Sequence, residues 1–448
     1  MIDLEPLHRE HTGVVAAGYA RALAATGWDA VVVHAGSARR RTEADDQYWP
    51  LRATPHFQHW APLAEPDAAL VVRPGRRAVL ARVRVTSFWE KPGVPEREHY
   101  AGAFDHAWLD APEDLRGLLP PGRVAFLGDD GARAVGWGIA PEAVNPRALV
   151  AALDQLRVRK TGYEVACLAE ANRRAAVGHD AVLAAFRGGA ATELDLHLAF
   201  LQATRQDDPE TPYKNIVAVG ANAATLHHVS YGKRPLADAP GGGQSLLLDA
   251  GATCEGYCSD ITRTWVRGTG AAADAFAGLV AAVEAMQLAL CASVRVGRPY
   301  EDLHDEAHVR VGRILAEAGV VRMDPDEAVR SGVTRCFLPH GLGHSLGLQC
   351  HDVGCAVVRP RPDNPFLRNT SVITEGQVFT IEPGVYFIDG LLRPLREGPH
   401  GGAIDWSLVD ALAPFGGIRI EDDVVVEGGA AVIRNLSREH LPRGGGTV

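Results

Sequence analysis

Apolar runs long enough to cross a bilayer are missing. The best candidate, residues 271–294, carries Asp274 and Glu284, and a spanning helix needs about 20 predominantly apolar residues. A membrane span is therefore not expected. The opening residues, MIDLEPLHREH, lack the basic segment followed by an apolar run that marks a secretory signal. Cysteine is scarce: there are seven in 448 residues, and no C-x-x-C pair. The spacings Cys254/Cys258 and Cys350/Cys355 match no zinc ribbon, so free thiols in a reducing cytoplasm are expected. Surplus positive charge is lacking too. A net charge of −10 argues against a chain that coats nucleic acid or an anionic membrane. Short repeats and low-complexity segments are also absent. With 46% apolar and 22% charged residues, this is the composition of a soluble globular protein, long enough for two or three domains.

Along the first 120 residues, helix-like and strand-like segments alternate. Residues 8–26 read as a helix and 30–34 as a buried strand. Residues 68–73 and 78–85 read as a hairpin around Pro74-Gly75, and 123–128 as a further strand. Asn145-Pro146 predicts a helix start, Asn as cap and Pro in the first turn, running to Leu156. Thr161-x-x-Glu164 and Thr192-x-x-Asp195 are capping boxes opening two more helices. The domain boundary is placed near residue 158, giving domains 1–158 and 159–448. After residue 213, strands are expected at 215–220, 245–249, 256–266, 377–387 and 418–426, with helices at 273–294 and 300–318. The fold class is α+β, with helices on one face of a curved antiparallel sheet.

The stretch PHGLGHSLGLQCHDVG, residues 339–354, packs His340, His344 and His351 among four glycines. It lacks the glutamate of the zinc pattern H-E-x-x-H. Gly341, Gly343 and Gly347 each disfavour a helix by about 1 kcal/mol, so an irregular backbone aiming side chains into one pocket fits better. Four acids stand in apolar surroundings elsewhere. Asp249 ends Leu246-Leu247-Leu248. Asp260 lies beyond a turn expected at Glu255-Gly256, which folds the two aspartates toward each other. Glu382 interrupts an apolar run before Pro383-Gly384, and Glu421 follows Ile418-Arg419-Ile420. In an alternating strand Ile418 and Ile420 share one face, Arg419 and Glu421 the other. Singly, each acid is a turn cap or a solvated residue. Together, buried carboxylates need cations to neutralise them. Four carboxylates and a neutral imidazole balance two divalent ions, and suit Mn²⁺, Co²⁺, Fe²⁺ or Zn²⁺. Paired ions of this kind serve hydrolysis.

In order and context, LLLDAG, SDITRTW, HGLGHSLGLQCHDVG, TIEPGVYF and GGIRIEDD resemble the ligand segments of the pita-bread metallopeptidases, which include methionine aminopeptidase, aminopeptidase P, creatinase and prolidase. PYKNIVAVGANAATLHH at 212–228 and RPLREG around Arg396 extend the similarity over nearly the whole chain. They point to the bacterial Xaa-Pro dipeptidase and organophosphorus acid anhydrolase subgroup. The segment from Asp45 to Leu63 resembles that subgroup more loosely, and Cys350 stands where relatives usually carry an aliphatic residue.

The resemblance implies a creatinase-like α/β domain followed by a pita-bread catalytic domain. It also implies two divalent ions per chain, Mn²⁺ first, held by Asp249, Asp260, His344, Glu382 and Glu421. The implied reaction is hydrolysis of Xaa-Pro dipeptides, with phosphotriester hydrolysis as a side activity. Glu382 would also shuttle the proton, His351 would face the oxyanion, and Arg419 would orient the metal carboxylates. Tyr213, His227, His340, Arg396, Cys350, Asp45 and Asp46 would contact substrate, His227 and Arg396 holding the prolyl carboxylate. The implied partners are a small dipeptide and a second copy of the chain, whose Asp45–Asp46 loop would reach the site. An aminopeptidase P activity, or a non-catalytic binding module of the same fold, are the alternatives.

Overall fold

The computed structural model describes residues 3–44, 46–89, 98–240, 242–428 and 433–448. The chain forms two compact units, Met1–Ala166 and Cys167–Val448. The division falls inside the helix Gly162–Arg187, whereas the sequence placed it in the charged link before that helix.

The first unit is a five-stranded mixed sheet. Its strand order is Asp105–Leu109, Val79–Val83, Ala69–Val72, Ala30–His34, Val124–Leu127. The inner strand AVVVH, Ala30–His34, is buried along its whole length, as a strand covered on both faces must be. Val31 and Val33 pack with Tyr19 and Leu23 of the helix Leu4–Thr26 and with Leu149 and Leu153. Val32 points the other way, against Phe126, Ala134 and Trp137. The helix Leu4–Thr26 begins four residues before the expected His8. Asp3 caps it through Glu5 N–H, and Gly27 closes it at φ 76°, a left-handed conformation that glycine adopts without strain. The expected role of Asn145 is corrected. Helix Arg147–Leu156 has Pro146 at its cap position, while Asn145 sits at φ 48°. Its side chain bonds both the N–H and the carbonyl of Gly128, an alternative its short amide offers to helix capping.

Both expected capping boxes form, at Thr161/Glu164 and Thr192/Asp195. In the second unit one sheet has the order Gly445–Thr447, Thr262–Arg267, Gln244–Asp249, Ile216–Val219. A three-stranded sheet runs Val378–Ile381, Asp422–Val426, Ile433–Asn435, and Gly384–Tyr386 pairs with Gly417–Arg419. All pairings are antiparallel except that of Gly445–Thr447. The expected long strands are thus broken, at residues 259–261, 382–383 and 420–421. The helix Ala271–Ala292 is long and apolar enough to cross a membrane by length and composition alone. Here Phe276, Leu279, Val283 and Leu290 pack into the core with Ile381, Phe415 and Val424.

Candidate active site

The strand breaks fall at the acids. Asp249 ends its strand, and Asp260, Glu382 and Glu421 each occupy an interruption. Two-residue alternation fixes where a regular strand aims its side chains, and an interruption frees the carboxylate to turn toward a shared point. Between Asp249 and Asp260 the chain reverses at Glu255 (φ 52°) and Gly256 (φ 85°). Two consecutive positive φ angles make the tight turn that suits hairpin twist.

The histidine stretch is not helical where it carries His340 and His344. It lies along the strand Val378–Ile381 as an irregular partner. Glu382 N–H donates to Leu342 O, Thr380 N–H to His344 O and Leu346 N–H to Val378 O. A Cβ on Gly343 would collide with the Thr380 carbonyl and the Tyr300 hydroxyl, so the close approach requires glycine there.

Asp249, Asp260, His344 and Glu421 are buried; Glu382 is partly open to the cavity. Asp260, His344 and Glu421 bring ligand atoms within 4.8 Å of one another. His344 Nδ1 faces the Ser345 carbonyl at 3.1 Å, which leaves Nε2 to face Asp260 at 3.4 Å, Glu382 at 3.7 Å and Glu421 at 4.0 Å. Asp249 joins through Tyr213, whose hydroxyl lies 2.7 Å from Asp249 and 2.5 Å from Asp260. One phenol proton can serve only one of these carboxylates at a time.

Charge crowding follows. Burial, then neighbouring Asp260, Glu382 and Asp249, push the Glu421 carboxyl well above the usual range. Burial raises Glu382 to about 7, partly offset by His344 and Arg419. Burial alone would lower His344, but Asp260 and Glu382 outweigh it and carry the imidazole to about 9. Burial lowers His351 to about 4, with His344 and Arg368 adding to it. Burial also lowers His340 to about 3, helped by Arg419. These buried acids crowd one another with too little opposing charge. The donor set, four carboxylates and one imidazole with a free Nε2, fits divalent ions of the manganese-to-zinc class.

Around this set, Arg419 donates to Asp249 at 2.6 Å, to Thr262 at 3.2 Å and to the Tyr386 hydroxyl at 3.0 Å. The Thr262 hydroxyl donates to Glu421 at 2.7 Å. Tyr386 also meets His340 Nε2 at 2.8 Å, so both ring nitrogens of His340 are engaged. Behind Asp260, the buried Asp423 accepts its N–H and the Asn172 amide. Such partners orient metal ligands. The sequence reading missed Thr262, Tyr386, Asp423 and Asn172.

These groups lie under a cavity of about 700 Å³, whose wall also includes Tyr213, His227, Cys350, His351, Phe366 and Arg368. Arg396 does not join them. It is exposed, forked onto Asp410 at 2.7 and 3.2 Å and stacked over Trp406. Its expected role is corrected, because a surface carboxylate already holds it. Arg368, not foreseen, and Lys214, which lies over the Tyr231 ring, are exposed cations on the cavity wall. Asp46 is an exposed residue of the N-terminal unit, and Asp45 lies outside the described residues.

Known proteins place this geometry. Residues 166–428 match metallopeptidase family M24, and residues 6–155 match the N-terminal domain of Xaa-Pro dipeptidase. A Xaa-Pro dipeptidase of Marinobacter nauticus is 42% identical, over 98% of this chain and 98% of its own. One from Stenotrophomonas maltophilia is 39% identical over the same shares. Among solved structures, aminopeptidase P from E. coli with the inhibitor Pro-Leu superposes with a TM-score of 0.72 at 23% identity, covering 96% and 95% of the two chains. Proline aminopeptidase P II from Yersinia pestis gives 0.70 at 23%, covering 96% of each. At that identity the likeness carries the fold, the two-domain pita-bread architecture. The N-terminal mixed sheet, the antiparallel pieces carrying five ligand-type side chains and the match over 166–428 lead to one assignment: the chain belongs to metallopeptidase family M24.

Proposed function

We propose that this protein hydrolyses Xaa-Pro dipeptides to free proline, using two divalent metal ions held by Asp249, Asp260, His344, Glu382 and Glu421, with Mn²⁺ as the working ion. The observation that carries the reading is the convergence of those five side chains beneath a cavity with a free cation on its wall. The name Xaa-Pro dipeptidase on relatives aligned along almost the full chain supports it. The Xaa-Pro bond is a tertiary amide with no N–H to grip, so recognition has to use the carboxylate and the ring. When bound, paired divalent ions supply Lewis acidity, making water nucleophilic near neutral pH and polarising the carbonyl. Glu382 Oε takes the proton of the attacking water and passes it to the prolyl nitrogen, which must be protonated to leave. His351, neutral at working pH, donates an N–H to the carbonyl oxygen as negative charge grows there. Arg419 fixes the Asp249 carboxylate, and His227 with Arg368 pairs the prolyl carboxylate. Tyr213 and Cys350 wall the end that receives the first residue.

None of the seven cysteines, all of them among the described residues, is joined in a disulfide, which supports a reducing, cytoplasmic setting. We also infer a homodimer. Tyr48 and Trp49, close in sequence to Asp46, are 43% and 59% exposed on the N-terminal unit, and Phe88 is 86% exposed, apolar surface of the kind a second copy would cover. The test of the activity is reconstitution. Protein stripped by chelator should lose Xaa-Pro hydrolysis and regain it on addition of Mn²⁺. Undiminished activity in verified metal-free protein would reject the proposal.

A further inference from the structure

Cys350 occupies a wall position where an inert side chain would suffice, yet its sulfur lies among the metal donors. Sγ is 2.9 Å from Asp260 Oδ2, and the same oxygen faces His344 Nε2 at 3.4 Å. His344, Cys350 and His351 bring three ligand atoms within 4.8 Å of one another. The His351 ring stands edge-on to His344, with centroids 4.3 Å apart. A sulfur and two imidazoles therefore adjoin the carboxylate-rich set and share His344 with it. The nearest comparison within the chain is Cys258. It is buried, and its sulfur is directed at the Leu348 and Gly256 carbonyls.

We propose that Cys350 is a soft-metal ligand: a zinc- or cadmium-class ion bound on the His344–Asp260 side of the centre takes the Cys350 sulfur as well, which tilts this chain's metal preference away from manganese. The inference rests on the dinuclear reading of the site. Carboxylate and imidazole donors alone accept the whole manganese-to-zinc series, whereas a thiolate favours soft ions. On coordination the S–H bond breaks, a sulfur–metal bond forms and the proton passes to solvent; no electron moves. A manganese-class ion leaves the S–H intact and the carboxylates as the working donors.

The test uses the full-length protein stripped of metal and titrated with cobalt(II) chloride, a spectroscopic stand-in for zinc. A sulfur-to-cobalt charge-transfer band in the near ultraviolet is expected for the native chain and for Cys258→Ala. It should vanish in Cys350→Val and in Cys350→Ser while both variants still bind cobalt. In competition experiments, the preference for zinc over manganese should fall by about 10–100-fold in Cys350→Val, the range typical of losing a partner of a metal site. The native chain decides the matter even if a variant fails to fold. Cobalt binding without the band, or a band that persists in Cys350→Val, would overturn the inference and leave the dipeptidase reading standing. A native chain that binds no divalent ion would overturn both.

Discussion

Asp260 links several of the site's side chains. It faces His344, Tyr213 and Cys350, and its backbone is fixed by Asp423. Replacing it with asparagine keeps the shape and removes the charge. We expect Asp260→Asn and Glu421→Gln each to lower bound metal below about two ions per chain, measured by elemental analysis after dialysis, with matching loss of activity. Full metal content and normal rates in both would refute the ligand assignment. Proton release gives an independent check. Without metal, His344 (about 9) and Glu382 (about 7) hold protons near neutrality, and ion binding requires them off. Metal affinity should therefore strengthen as pH rises through these values and weaken as it falls. Calorimetry at pH 7 in buffers of different ionisation enthalpy should show net proton release on metal binding; buffer-independent heats would contradict this. The four candidate acids were legible because each stands in or beside apolar residues, and His344 because it lies in a histidine- and glycine-rich stretch. Arg396 was misread because its partner Asp410 is fourteen residues away in sequence, visible only once the helix is folded. No periodicity marked Arg368. We expect Arg368→Ala to raise KM for dipeptides about 10–100-fold, from a charged hydrogen bond of about 1.5–3 kcal/mol. Arg396→Ala should change it little. The reverse pattern would restore the sequence reading.

Elements show a similar division between what pattern reveals and what packing decides. Helix caps at Thr161 and Thr192 were readable because a side chain three residues from its target leaves a local signature. Strand existence was readable as well. Strand continuity was not: Tyr257–Arg267, Val378–Tyr386 and Gly417–Val426 each break at or beside a site carboxylate, a demand imposed by the site and not by local propensity. The glycines of the histidine stretch were read as poor helix formers, and the structure supplies the further reason at Gly343, the approach of the Val378–Ile381 strand. Gly343→Ala should therefore destabilise the protein by about 1–3 kcal/mol, as overpacking does, and loosen metal binding through displaced His344. Thermal melts with and without metal test this; an unchanged Tm and unchanged metal affinity would show that the contact tolerates a methyl group.

For the whole molecule, the tetrahedral phosphorus of a small phosphotriester resembles the tetrahedral stage of amide hydrolysis. A site complementary to one stabilises the other. A fluoride or nitrophenolate leaving group needs no proton from Glu382, so slower phosphotriester hydrolysis is expected at the same centre. Asp260→Asn should abolish it together with dipeptide cleavage; survival of one activity alone would separate the sites. The most direct measurement of the central claim is substrate length. The fold is shared with aminopeptidases P, but a dipeptidase must pair the prolyl carboxylate, which a longer peptide replaces with an amide. With Mn²⁺-reconstituted protein, kcat/KM for Xaa-Pro should exceed that for the matching Xaa-Pro-Yaa by about 10–100-fold or more, the value of a charged hydrogen bond. Equal or faster cleavage of the tripeptide would contradict the account.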